Sequence, residues 1–590
     1  MDDHSPANGF PQPPYTNRFG PAAVPQGRDD TTRYLCAAAH LDADYANEAI
    51  REFLVEDTRQ VPPSAGLDVA AVLGEAVAAR TRRKLRDIAL LVLLCGFVFV
   101  GSPAVLGVWL AVAVLASVPL MRRALKKQGI SPKIAGYVAG GAIVIALFVV
   151  LQQFIEDFVG DLGNGGSSST SGLYPDYPGF PIEAPDNTGF VIGGILIVSA
   201  MLGVLVADRF VVWKHLTERF GRNRLSNSVP DVSERTIFQY SPDRFLTQLK
   251  RYSQPRPTIA AAPRDEPAQR TPGGPVSLTV YRDFVPFVGA GNLEEPWSIA
   301  VPLEPVPDVE PATELTTESL YAHIRTEIDA LRATSSMMPG RRLGELAIGE
   351  RVIVAADELI DHMADPSSTD FLRDPGVAPY TLVRRDRAQS IKTDPMEWAR
   401  YFQCYQVETW DRDLVVSVFV HVAVGRDVLY VEWTPCLLRP IKKKFRAIDE
   451  MPRSSLRAFG QAMLDLARLP ASVPGRLRHT FTFLRPLPQD AGAISPAMYG
   501  VSTNLRELAA DSVVHNYFQL ADIDRYLKTM ESRLILAVAR MLRAAGYSAA
   551  SFEQQAATVV NNNVNIGGSV DGNVVAGTGN KVGGTPVPAK

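Results

Sequence analysis

From Ile88 to Met121 the chain runs for 34 residues without one charged side chain. A bilayer accepts such a stretch only as helix or closed barrel, because every backbone N–H and C=O must be paired internally. Thirty-four residues exceed the roughly 20 that one span needs. Gly101-Ser102-Pro103 interrupts the run with turn chemistry. The stretch therefore reads as a hairpin of two short helices, at 88–100 and 104–121; one span plus an interfacial helix is the alternative. Arg80, Arg82, Arg83, Lys84 and Arg86 precede it, and Arg122, Arg123, Lys126 and Lys127 follow it. Lys and Arg stay on the cytoplasmic side, so both ends are expected there.

Two more apolar stretches follow, at 134–155 and 190–207. Between them, residues 156–187 hold six acids and no Lys or Arg. That asymmetry predicts an extracytoplasmic loop, a second hairpin, and both termini in the cytoplasm of a bacterial inner membrane. The mean hydropathy of +0.02 agrees with a lipid-embedded part. The four spans contain no Asp, Glu, Lys, Arg or His, which argues against a pump or coupled transporter, since those need charge at depth. Gly136 with Gly140, and Ser199 with Gly203, are small-xxx-small pairs that suit close helix packing in lipid.

The remaining segments read as soluble. Residues 1–32 are Pro-rich and nearly free of aliphatic side chains, so disorder is expected. In 33–87, Asp42 and Asp68 precede runs with helical apolar spacing and are expected to cap two helices of a small cytoplasmic unit. Residues 208–274 read as a linker. Residues 275–550 read as an α+β domain with an antiparallel sheet. Val276, Leu278 and Val280 alternate with polar residues, and three β-branched, aromatic runs at 401–409, 414–424 and 428–434 are joined by short turns. The whole is thus expected to be a four-span α-helical membrane bundle with a cytoplasmic α+β domain, a disordered N-terminus and, at 551–590, a Gly/Asn/Val-rich tail.

Chemistry is harder to find. A net charge of −3 excludes a globally basic nucleic-acid binder. Four cysteines are too few and too scattered for a disulfide framework or zinc cluster. No Gly-Lys or His-Glu dipeptide occurs, so phosphate-loop and zincin patterns are absent. No cofactor and no catalytic residue is implied. Gly289-Ala290-Gly291 reads as a plain turn, or as one whose amides cradle an anion. The eight histidines do not cluster along the chain; His421 reads as a strand histidine or a base. Cys404 and Cys436 are expected to pack, and Glu408, Asp411 and Asp413 are explained by turn chemistry without a metal.

The one dense basic run holds Arg439, Lys442, Lys443, Lys444 and Arg446. Near an anionic leaflet such residues attract lipid headgroups at roughly 1 kcal/mol each; RNA or DNA is a second option and a solvated loop the alternative to both. Ile523, Leu527, Met530 and Leu534 are spaced as a heptad seam, which serves either self-association or core packing. In the tail, VVNNNVNIGGSVDGNVVAGTGNKV repeats short Asn/Val units around glycines, with Val574 central. Such units suit stacked strands with asparagine ladders, and hence a homo-oligomer.

That tail resembles the Gly/Asn/Val-rich tails, and the amyloid-type signalling motifs, of bacterial signalling and defence proteins. Taken whole, the chain resembles multi-span membrane proteins of high-GC bacteria with no assigned activity. That resemblance carries no activity over; the leading reading of the residues is a non-enzymatic, membrane-anchored cytoplasmic binding or scaffold module for an unidentified protein partner, of a signalling or defence kind. An enzyme of unrecognised class is the runner-up, and a channel or transporter comes third.

Overall fold

The computed structural model describes residues 30–64, 67–100, 109, 112–113, 188–221, 243–253, 258–259, 274–337, 343–410, 412–451, 456–487 and 494–562. Its helices are α1 (Asp30–Leu41), α2 (Ala43–Ile50), α3 (Val69–Val100), α4 (Thr188–Arg219), α5 (Asp243–Ser253), α6 (Thr317–Asp329), α7 (Ala356–Asp361), α8 (Arg385–Thr393), α9 (Lys443–Arg446), α10 (Leu456–Ala467), α11 (Leu469–Phe481), α12 (Leu505–Leu508), α13 (Tyr517–Ala544) and α14 (Ala550–Asn562). The strands are β1 (Val276–Tyr281), β2 (Asn292–Leu293), β3 (Trp297–Pro302), β4 (Ala347–Ala355), β5 (Leu382–Val383), β6 (Ala399–Thr409), β7 (Leu414–Val424) and β8 (Val428–Leu438).

The four-span bundle is not what the structure holds. Among the described residues one helical segment, Ile192–Arg219 of α4, is long and apolar enough to cross a membrane. The stretch at 88–100 is instead the far end of α3, which starts at Val69, passes through the charged segment Arg80–Asp87 and runs unbroken to Val100. Thirteen apolar residues cover about 20 Å of helix, short of a hydrocarbon core of about 30 Å. The expected spans at 104–121 and 134–155 lie outside the described residues, apart from Trp109, Val112 and Ala113.

The sheet also differs from the expected antiparallel one. Its order is β2-β8-β7-β6-β4-β1-β5, with β3 also on β8, and it is mixed because β1 runs parallel to β4. The β6-β7-β8 meander is antiparallel, turned at Trp410 and Arg412 with positive φ and at the Gly425–Asp427 loop. The β1–β4 crossover carries β2, β3 and α6, and parallel strands need a connection of that length. Nothing in the alternation of β1 reveals which strand it pairs with.

One face of the sheet packs on α6, α8, α13 and α14. Leu320, Ile324, Met530, Leu534 and Phe552 from these helices bury against Val352, Val416, Val418 and Val431. The heptad seam is spent here: Met530 and Leu534 are fully buried and Ile523 nearly so, while Leu527 packs at the rim. The other face carries a smaller aromatic cluster around Phe287, Ile353, Phe402 and Phe419.

A second core joins the N-terminal helices to the later chain. Leu35, Tyr45, Ile50 and Leu73 pack with Ile441, Phe445, Leu484 and Leu505. Asp42 accepts from the Asp44 and Tyr45 amides and caps α2, and Asp68 accepts from the Ala71 amide at the start of α3. Between these helices, Gln60 reaches into the sheet. Its carboxamide donates to Leu278 O at 3.0 Å and Tyr380 O at 2.6 Å, and accepts from Val280 N at 2.8 Å. The side chain thus acts as one more peptide unit beside β1, where β5 has already ended. Gln60→Ala is expected to cost about 2–4 kcal/mol, because it leaves buried backbone groups unpaired. Chemical denaturation checks this; a loss under about 0.5 kcal/mol would mean that water replaces the amide.

Candidate functional site

Helices α3 and α4 lie antiparallel, and their sequences divide at the same level. A Cβ on Gly194 would touch Phe97 and one on Gly96 would touch Ile197, so glycines bring the apolar halves together. Leu90, Phe97, Met201 and Leu205 form their shared core, covered on one side by Ala462, Leu466 and Leu469 from α10 and α11. Trp109 packs edge-on against Phe97, and part of the remaining apolar surface is exposed among the described residues. Val92 is 66% exposed, Phe99 84%, Ile195 61% and Leu196 64%. A patch of this kind on a monomer marks an interaction surface.

The polar halves are held by buried charge. Asp208 of α4 pairs with Arg82 and, at 3.1 Å, with Arg86, both on α3. Asp87 binds Arg86, Arg476 and His479, which fastens α11 to α3. Burial works against the Asp87 charge, but His479 and the two arginines outweigh it and hold the carboxyl below the usual range. Arg209 reaches Asp465 and fastens α10 to α4. A belt of ion pairs therefore stands where the apolar surface ends.

At the inner end of this belt three helices converge. Glu75 of α3 accepts from His40 Nε2 of α1 at 2.8 Å and from His215 Nε2 of α4 at 3.0 Å, both on the same oxygen. The imidazole centroids are 4.8 Å apart. Burial pushes His40 down to about 4, so it is neutral at pH 7. Burial alone would raise Glu75, but the two imidazoles outweigh it and hold the carboxyl well below the usual range. Two of the eight histidines, far apart along the sequence, meet here in space. The distances among the three residues, 35, 140 and 175 positions, hide the cluster from any local motif.

A second concavity of about 500 Å³ opens on the aromatic face of the sheet. Tyr281, Phe287, Ile353, Trp398 and Phe402 line it, with the Arg400–Glu432 pair at 3.6 Å on its rim. Glu432 also accepts from the Tyr430 hydroxyl at 2.7 Å. Ser298, Glu397 and Thr434 also line it, so the concavity offers polar and aromatic contacts in similar measure.

The Gly289-Ala290-Gly291 turn cradles an anion from within the chain. Both glycines have φ near +90°, and their amides donate to Glu507 Oε1 at 2.9 and 2.8 Å. His421 is buried, its Nδ1 2.9 Å from Tyr401 O, and burial pushes it below its ordinary value. Burial likewise raises the Cys404 thiol to about 12 and Cys436 well above its usual value. Glu408 pairs with Arg412, and Asp413 with Arg446; Asp411 lies outside the described residues.

Most of the basic run is engaged in contacts within the chain. Arg439 binds Glu294, Lys442 donates to Leu508 O, Lys444 pairs with Asp42, and Arg446 pairs with Asp413; Lys443 is exposed on α9. Ser199 and Gly203 lie on the exposed side of α4, and a Cβ at Gly203 would meet nothing. Gly136, Gly140 and Val574 lie outside the described residues.

Comparison with known families adds one result. Residues 296–575 match the AbeC-like domain. The match fits a bacterial protein and covers a little under half of the chain. No curated protein matches the chain, and no solved structure does. The AbeC-like domain contains most of the sheet, the α10–α11 pair that covers the apolar helices, and Glu507. It does not contain β1, the Gly289–Gly291 turn, or any of His40, Glu75 and His215.

Proposed function

We propose that the protein is a membrane-seated binding module. The apolar halves of α3 and α4 enter a bilayer, and the mixed sheet faces the cytoplasm as the binding or scaffold part. The observation that carries this reading is the exposed apolar surface of the two helices, ending at a belt of buried ion pairs. Four side chains such as Val92, Phe99, Ile195 and Leu196 gain roughly 1.5–3 kcal/mol each on leaving water completely. Arg80, Arg83, Lys84, Lys214 and Arg219 on the belt side favour the cytoplasmic placement of the sheet. The aromatic cleft with its Arg400–Glu432 pair is the place where the soluble part would take a ligand.

The native cysteines supply a test. Cys95 is exposed on the apolar half of α3, and Cys36, Cys404 and Cys436 are buried. Bimane placed on Cys95 of the full chain in phospholipid vesicles is expected to be quenched by acyl-chain nitroxides and not by aqueous iodide. Quenching by iodide alone would place α3 in water and end the membrane reading.

A further inference from the structure

We propose that His40, Glu75 and His215 form a binding site for a divalent transition-metal ion of the zinc type, which clamps α1 to the α3–α4 pair. The site does not depend on the membrane reading, since it lies on the polar halves of the helices. Its donor set is two imidazole nitrogens and one carboxylate oxygen, a combination that suits zinc, cobalt or nickel and not calcium or magnesium. The three ligand atoms lie within 4.8 Å of one another. Both imidazole Nε2 atoms already point at the same carboxylate oxygen, at 2.8 and 3.0 Å. A tetrahedral ion with bonds of about 2.0–2.1 Å separates its ligand atoms by roughly 3.3 Å. The two His–Glu distances need to open by a few tenths of an ångström, and the two imidazole nitrogens, within 4.8 Å of each other, need to draw together toward the same separation. The ion binds each neutral ring through Nε2, so the proton now directed from Nε2 at the carboxylate is given up to solvent and one is taken back on Nδ1, which leaves both imidazoles neutral and the carboxylate ionised. Three protein ligands leave a fourth position for water.

The placement gives the ion a task. Each ligand comes from a different helix, and the side chains are mostly buried, at 5%, 17% and 21% exposure for His40, Glu75 and His215. Binding ties the N-terminal helical unit to the end of α4, where that helix leaves its apolar half. Because an unfolded chain has no preformed site, the metal then stabilises the fold by mass action.

The test uses full-length protein, stripped with a chelator and titrated with Co²⁺ and then Zn²⁺. The expected result is one cobalt per chain with the visible absorption of a tetrahedral centre, displaced by an equivalent of zinc, and a zinc-dependent rise in melting temperature. His215→Gln, at the most exposed of the three ligands, is expected to weaken zinc affinity at least about 100-fold while far-UV circular dichroism stays native. Glu75→Gln provides a second variant should the first misfold. Absence of the cobalt spectrum in wild-type protein overturns the proposal, and so does zinc binding that folded His215→Gln and Glu75→Gln proteins keep unchanged.

Discussion

Asp208→Ala is expected to lower stability by about 3–5 kcal/mol, the effect of removing one partner from a buried ion pair. Asp208 and Arg82 are 7% and 8% exposed at their side chains, and Arg86 depends on the same carboxylate. Alanine leaves the Arg82 guanidinium buried without its anion, and burial already pulls that group below its ordinary value. The charge itself is not what the fold requires. Arg82→Met combined with Asp208→Leu removes both partners and fills their volume, so it should recover most of the loss. Thermal or denaturant unfolding of the single and double variants, in the same detergent, measures both. A single-variant loss under about 1 kcal/mol would mean that water reaches Arg82, and the ion-pair belt would then be no boundary between apolar and polar halves.

The second large effect is expected at the glycine turn. A Cβ on Gly291 would stand 2.2 Å from Leu437 O, on a backbone whose φ of +90° already disfavours side chains. Gly291→Ala must therefore move β8 or the turn, at a cost of about 3 kcal/mol or more. Glu507→Gln probes the same contact from the other side. Oε1 accepts from the two glycine amides, and Oε2 accepts from the Asn504 amide at 2.8 Å. A glutamine can keep its oxygen on one side only, so its NH₂ meets a donor on the other. A loss of about 2–3 kcal/mol follows despite equal size. Equal stability of Glu507→Gln and wild type, by denaturant unfolding, would show that the carboxylate is dispensable.

What the sequence makes legible is local. Asp42 and Asp68 precede apolar runs of helical spacing and accept the amides that begin α2 and α3. The β6-β7-β8 meander announces itself by alternation and by turn residues. The heptad spacing at Ile523, Leu527, Met530 and Leu534 marks an apolar stripe, and only the structure tells that α6 and the sheet cover it. The helix at 88–100 misleads because hydropathy counts apolar residues without regard to the charged helix they extend. The rest depends on contacts across long separations. Glu507 fills a nest 216 residues before it, β1 finds β4 across a whole helix and two strands, and His40 meets His215 through Glu75. Periodicity and spacing carry no information on such meetings, because no physical constraint links the residues until the chain has folded.

The position of β1 bears on how the AbeC-like domain can be handled apart from the rest of the chain. β1 sits between β4 and β5, and it is completed by Gln60 from a segment more than 200 residues earlier. The family match begins at residue 296, after β1 has ended. A fragment cut to the match therefore leaves Arg351 to Ala355 of β4 as a naked edge, with Val352, Ile353 and Val354 in sequence. A flat, apolar open edge is a template for strands of other molecules. Soluble aggregates from such a fragment would report the missing strand and not a property of the domain, whereas a chain beginning before Gln60 carries its own protection against edge-to-edge association.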